Sequence, residues 1–445
     1  MARLRRRSSG LYEGDFGLSA LTEKLSASPG RIDEAAARSL AASVADACEG
    51  EGAVELGVDL RCLLDSTLPE EVMRTAWLAA TRHRFDPADW GMTLRGWLSR
   101  LADLYPDHSG GTAHRHRPES SPPAIGEEEL CATVVREIHT SALELTHAMA
   151  NSGSGALLPV SVPEALERIV GESDAELGFR LLLRVLKTYR VPVAKGQYDR
   201  LMALDTRLGY PGPLVYDGLN VRWPQIDTTR RDATGDFGFS ELTSWFTGHW
   251  HDHTARETVQ QAAANDDTAQ TPGSAAALLL QDTVRLLESP LSSDTITTLW
   301  LAASDRGFSI DRAGIDARDW LETIMEVCLE RLREVAPSYT PVMPPLRADL
   351  TGTVLQEIHD VTPLLADRAV SPGWHEIRGP AAAEAMEQVV TRADPDLGYR
   401  LLLRLLQVLA LPLTEQQYAR HRTLGERLGY GEFHVSELEL LVRHG

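Results

Sequence analysis

The side chains in this chain that most readily suggest chemistry are histidines. HWHDH at 249–253 sets His249 and His253 one helical turn apart, so two imidazoles can reach one zinc or other transition-metal ion from a single face. A third ligand would have to come from elsewhere. The same run also fits the edge of an amphipathic helix through Leu242, Trp245, Phe246 and Trp250. A divalent metal at His249/His253 is thus permitted by the sequence, and no cofactor is required by it. The tripeptide E-I-H occurs twice, as Glu137/His139 and Glu357/His359. On a helix its two polar residues diverge by about 200° and flank an apolar ridge instead of converging on one ion. Glu144 and His147 have the E-x-x-H spacing of a di-iron helix, but no second E-x-x-H accompanies them.

Arginine pairs are the second candidate. LGFRLLLR carries Arg180/Arg184 and LGYRLLLR carries Arg400/Arg404, each pair one turn apart on an apolar helix. An unpartnered charge in such surroundings is costly, so partners are expected. Glu176 and Asp396 stand four residues earlier, a spacing worth about 0.2–0.5 kcal/mol as an intrahelical pair. The structural reading is an ion-pair network that organises the helices. The functional reading is a carboxylate- or phosphate-binding face completed by Tyr198 and Tyr418.

A third motif is GDFG, found in GDFGLSALT (14–22) and GDFGFSELT (235–243). A kinase needs a glycine-rich loop, a strand lysine and an HRD loop besides DFG. None is present, and Lys24, Lys187 and Lys195 are the only lysines. Asp15 and Asp236 are expected to shape a turn before helices capped by Ser19 and Ser240. Nucleophile-elbow, Walker and dinucleotide fingerprints are also absent.

Recurrence is the feature that orders these residues. LLDSTLPEEVMRTAWLAA (63–80) answers to LLESPLSSDTITTLWLAA (286–303), and Arg95 and Trp97 answer to Arg318 and Trp320, all offset by 223. Residues 177–210 align without a gap to 397–430, with 17 of 34 positions identical. Such order predicts a tandem duplication of a two-lobed unit of about 220 residues, its halves packed with pseudo-two-fold symmetry. The expected divisions are 11–106 and 129–228 for the lobes of the first copy, 107–128 for a linker, and 229–336 and 337–445 for the second copy.

The pattern within each copy is helical, so the fold class expected is all-α. Leu130, Val134, Ile138, Ala142, Leu145 and Met149 keep helical spacing. Asp174 and Asp394 are placed to cap the arginine helices, with Pro395 at a first helical position. Thr414 and Gln417 form a capping-box pattern, and Gly209 and Gly429 suit left-handed helix ends. Only PLVYDGLNVRW (213–223) alternates like a strand.

Composition narrows the function classes. A net charge of −20 over 445 residues disfavours nucleic acid and anionic lipid as partners. No apolar run reaches the roughly 18 residues of a membrane span. Four scattered cysteines, no secretory signal and an arginine-for-lysine bias point to a cytoplasmic protein from a GC-rich bacterium. With no catalytic constellation, the expectation is a non-enzymatic protein-interaction module, a scaffold, regulator or neutraliser. Its acidity favours a basic protein partner. The alternative is a helical metalloenzyme or small-molecule-binding protein with a site between lobes.

Overall fold

The structure, a computed structural model, describes residues 14–47, 51–105, 126–152, 158–210, 214–229, 235–247, 252–370 and 376–443. The chain divides into two compact units, residues 1–223 and 224–445. Unit 1 contains α1 (Gly17–Ala27), α2 (Glu34–Ala45), α3 (Glu51–Leu64), α4 (Glu70–Ala80), α5 (Leu94–Leu104), α6 (Glu127–Asn151), α7 (Val162–Glu172), α8 (Ala175–Thr188) and α9 (Lys195–Leu208). Unit 2 contains α10 (Gly238–Trp245), α11 (Ala255–Ala263), α12 (Ser274–Glu288), α13 (Ser293–Ala303), α14 (Ala317–Val335), α15 (Thr351–Leu365), α16 (Gly379–Arg392), α17 (Pro395–Val408), α18 (Glu415–Leu428) and the short α19 (Glu432–Ser436). The fold is therefore predominantly helical. Among the described residues no helix is long and apolar enough to cross a membrane.

Among the described residues strand is confined to short pairs. β1 (Pro192–Ala194) runs parallel to β2 (Asn220–Arg222), and β3 (Ala369–Val370) runs antiparallel to β4 (Ile377–Arg378). The alternating stretch 213–223 thus supplies β2 and little more. Of the linker expected at 107–128, residues 107–125 lie outside the described residues, and α6 already starts at Glu127. The proline-rich stretch 336–347 has neither helix nor strand.

Local chemistry sets the ends of the arginine helices. Asp174 accepts from the Leu177 N–H at the start of α8, and Asp394 accepts from the Asp396 N–H at the start of α17. Both helices stop at a left-handed residue, Arg190 (φ 49°) or Ala410 (φ 46°), just ahead of Pro192 or Pro412. The Thr414–Gln417 capping box opens α18, and Gly209 (φ 66°) and Gly429 (φ 79°) close α9 and α18.

One apolar core runs through each unit, from Phe16 to Val215 in the first and from Phe239 to Leu438 in the second. Helices from both sides of each expected lobe boundary share it: α8 packs on α1, α4 and α7, while α17 packs on α10, α13 and α16. The α7–α8 crossing is close enough to need glycine. A Cβ on Gly178 would lie 2.4 Å from Val170 Cγ2, and one on Gly398 would lie 2.3 Å from Val390 Cγ2. That approach pins the arginine helices in the middle of each unit.

Candidate functional site

The first arginine of each pair is sealed inside a clasp. Arg180 donates to both carboxylate oxygens of Asp59, at 2.8 and 2.7 Å, and to the Phe16 carbonyl at 3.1 Å. Arg400 repeats this with Asp282, at 2.8 Å for both oxygens, and with the Phe237 carbonyl at 2.8 Å. Each guanidinium lies over the ring of that same phenylalanine, 4.5 Å from Phe16 and 4.4 Å from Phe237. The arginines are 1% exposed, and the paired Asp59 and Asp282 are equally buried. The neighbouring carboxylates outweigh desolvation and hold both guanidinium pKa values well above the ordinary arginine range. These groups carry structure, since no dissolved ligand reaches them.

The clasp explains the repeated GDFG. Asp59 Oδ2 also accepts the Leu18 N–H at 2.8 Å, and Asp282 Oδ2 accepts the Phe239 N–H at 2.8 Å, which satisfies an orphan donor at the start of α1 and α10. The chain must turn tightly to present that N–H. Gly17 has φ 59° and Gly238 φ 67°, and a Cβ there would fall 2.1 or 2.2 Å from the aspartate oxygen. The phenylalanine supplies a carbonyl and a ring face to the arginine. Ser19 and Ser240, expected as caps, instead lie inside the helices and donate back to the Phe16 and Phe237 carbonyls. The helices begin three residues earlier than the serine pattern suggests, because the distant carboxylate provides the cap.

The second arginine of each pair opens onto a cleft. Arg184 reaches Asp15 at 3.3 Å and Glu23 at 3.0 Å. It helps line a cleft of about 600 Å³ within unit 1. Arg404 donates to the Ala303 carbonyl at 3.1 Å and borders a cleft of about 360 Å³ within unit 2. Burial lowers the Arg404 pKa despite Asp236, Glu437 and Asp305 nearby. Both clefts lie beside the GDF turn, walled by Gly14, Asp15 and Phe16 in one unit and by Gly235, Asp236 and Phe237 in the other.

The remaining linings differ at positions that correspond in the sequence. Ala20, Glu23, Lys24, Lys187 and Asp217 border the first cleft where Glu241, Ser244, Trp245, Gln407 and Glu437 border the second. Charge diverges accordingly. The first cleft sets Asp15, Glu23 and Asp217 against Lys24, Arg184 and Lys187. The second sets Asp236, Glu241, Asp266, Asp267 and Glu437 against Arg404, the one cation among its described lining residues. Burial pushes the Glu241 carboxyl up to about 7, although Asn265 at 2.9 Å and Trp245 Nε1 at 3.4 Å donate to it. Asp266 is spent on capping α12 through the Gly273 and Ala275 N–H groups.

The other sequence candidates fall elsewhere. Tyr198 is buried edge-on against Trp223 with Lys195 over its ring, and Tyr418 packs half-buried on the unit 2 core. The tyrosine joined to the Arg400 clasp is Tyr430, which donates to Asp396, itself 3.6 Å from Arg400. Tyr210 holds the matching place in unit 1, 5.6 Å from the Phe16 ring. The E-I-H residues point to different neighbours. Glu137 is bound by Arg200 and Glu357 by Arg420, while His139 meets Glu167 and His359 meets Glu387. His249 lies outside the described residues, and His253 is exposed ahead of α11. Among the described residues no group of three His, Cys, Asp or Glu side chains is placed to hold a metal.

Sequence reasoning missed Asp59 and Asp282, the partners that matter most. The signal was available: each is a buried carboxylate on an apolar helix, at an offset of 223. Comparison with protein-family models, with curated proteins and with solved structures finds no match to this chain.

Proposed function

We propose that this chain is a non-enzymatic protein-interaction module, made by duplication of one helical unit, that engages a basic partner through the unit 2 cleft. One observation carries the reading. The Arg–Asp clasps are common to both units, as are Asp15/Asp236 and Arg184/Arg404 at the cleft walls, whereas Glu23, Lys24 and Lys187 in one cleft and Glu241 in the other have no charged counterpart. A duplicated scaffold with diverged clefts suits recognition of distinct groups better than a shared reaction.

The character of the second cleft favours a cation. Trp245 is half-buried there beside Glu241, Asp267 and Glu437, and an indole face with nearby carboxylates attracts ammonium or guanidinium groups. A net charge of −20 adds long-range steering toward a basic surface.

Calorimetric titration of the full chain with an arginine-rich peptide at pH 8, above the Glu241 pKa of about 7, tests this proposal. Glu241→Gln combined with Glu437→Gln should weaken binding at least tenfold, and Trp245→Ala should weaken it further. Glu384→Gln with Glu426→Gln, exposed on other helices of the same unit, should leave it near wild type. Equal losses from both pairs would reduce the interaction to diffuse surface charge and refute a cleft-directed partner.

A further inference from the structure

We infer that the unit 1 cleft is a second, chemically different binding site, which takes a small oxyanion (a carboxylate- or phosphate-bearing solute) between Lys187 and Lys24. This inference concerns another cleft and another ligand class than the basic partner, so either can fail alone.

Lysine placement is the first support. The chain has three lysines, and two of them, Lys24 and Lys187, border this one cleft. Lys187 sits three residues beyond Arg184 on α8 and is half-buried. Its Nζ donates at 2.6 Å to the Leu214 carbonyl, its one hydrogen-bond partner among the described residues. An ammonium has three N–H donors, so two remain for a ligand. Lys24 stands exposed at the rim. Burying an ammonium without its full complement of acceptors is unfavourable, and an arriving oxyanion relieves that cost.

The cleft wall gives the second support. Asp15 is 2% exposed at its side chain, and one of its oxygens is bound by Arg184. The other, Oδ1, is buried with no hydrogen-bond partner among the described residues. A ligand hydroxyl or ammonium close to the oxyanion would satisfy it. Gly14, Gly17, Gly52 and Gly218 also border the cleft, so backbone rather than side chain forms much of its wall. At about 600 Å³ the space suits a small solute.

The scaffold does not demand these cations. Gln407 and Trp245 occupy the corresponding places in unit 2, so neither ammonium is needed to build the shared helices. Arg184, by contrast, is already neutralised by Asp15 and Glu23. Three carboxylates and three cations border the cleft, and the N–H donors left for a ligand are those of the lysine ammoniums.

Selective labelling of lysine with ¹³C at Cε leaves the ammonium groups of the full chain intact and gives signals from three lysines, few enough to assign by single substitutions. Titration with inorganic phosphate and with acetate, each against sodium chloride of equal ionic strength, reads the site. The expected result is a saturable shift of the Lys187 and Lys24 signals with at least one probe, while Lys195 stays still. A response to phosphate alone assigns phosphate-bearing solutes, and a response to acetate alone assigns carboxylates. Lys187→Gln, which copies the side chain found in unit 2, should weaken binding at least tenfold as read at Lys24 or by calorimetry, with its denaturation curve unchanged. Shifts reproduced by chloride, signals that move with neither probe, or undiminished affinity in Lys187→Gln would each overturn the inference.

Discussion

Removing the carboxylate of one clasp should be far more damaging than removing both charged partners. Asp282→Ala deletes both short contacts with Arg400 and the acceptor for the Phe239 N–H. It leaves a guanidinium that is 1% exposed. Breaking a buried pair from one side costs about 3–5 kcal/mol, and losing a helix cap adds about 1 kcal/mol. The Phe237 carbonyl at 2.8 Å and Asp396 at 3.6 Å still attend Arg400 and offset part of that. A net loss of about 4 kcal/mol is expected. For a unit of this size it corresponds to a drop of about 8–16 °C in the unit 2 transition. The double variant Asp282→Leu/Arg400→Met removes the stranded charge and should recover to within about 1 kcal/mol of wild type, the residue being the lost cap. Urea denaturation followed by circular dichroism measures both. A single-variant loss below about 1 kcal/mol, or a double variant no better than the single, would refute the argument that the clasp is a desolvated, mutually dependent pair.

Gly398→Ala should destabilise by about 1–3 kcal/mol despite alanine's better helix propensity, because its Cβ would lie 2.3 Å from Val390 Cγ2; thermal melts check this. His421 is wholly buried beside Tyr399 and Glu357, and burial holds its pKa below the ordinary 6.5. The unfolded chain then takes up the proton first, so this contribution is present above pH 6.5 and lost as pH falls below it. His421→Leu, which places there the side chain found at Leu201 in unit 1, should flatten that slope in denaturation curves between pH 7 and 5. Asp205 has the opposite sense. Burial pushes it from 3.8 up to about 7, so the folded state holds its proton more tightly and stability falls as pH rises across that window. Asp205→Asn should therefore stabilise the protein at pH 8 and give no gain at pH 4, as read by urea midpoints.

What the sequence disclosed was mostly local. Caps at Asp174, Asp394 and Thr414 and helix ends at Gly209 and Gly429 depend on neighbours within four residues, so their patterns survive translation into structure. The need of Arg180 and Arg400 for partners was equally plain. Which partner they take was not, since Asp59 and Asp282 lie 121 and 118 residues away. The intrahelical candidates stand four residues from their arginines, and Asp396 comes within 3.6 Å of Arg400. The clefts were less visible still. Each is assembled from the GDF turn, a first-helix face and the far end of the arginine helix, which meet only after packing. The recurring GDF turn and the second arginine border both clefts, but the side chains between them changed.

Clasps common to both units build the scaffold, while the cleft side chains that differ between the units select the ligand. Exchanging the lining tests this claim most directly, through the combined variant Glu241→Ala, Ser244→Glu, Trp245→Lys, Gln407→Lys and Glu437→Asp. Calorimetric titration should show arginine-rich peptide binding lost and phosphate or acetate binding gained at unit 2, with a urea transition that stays cooperative and falls by about 1–3 kcal/mol, since Trp245 packs on the unit 2 core. Unchanged ligand preference, or collapse of the fold, would contradict the claim.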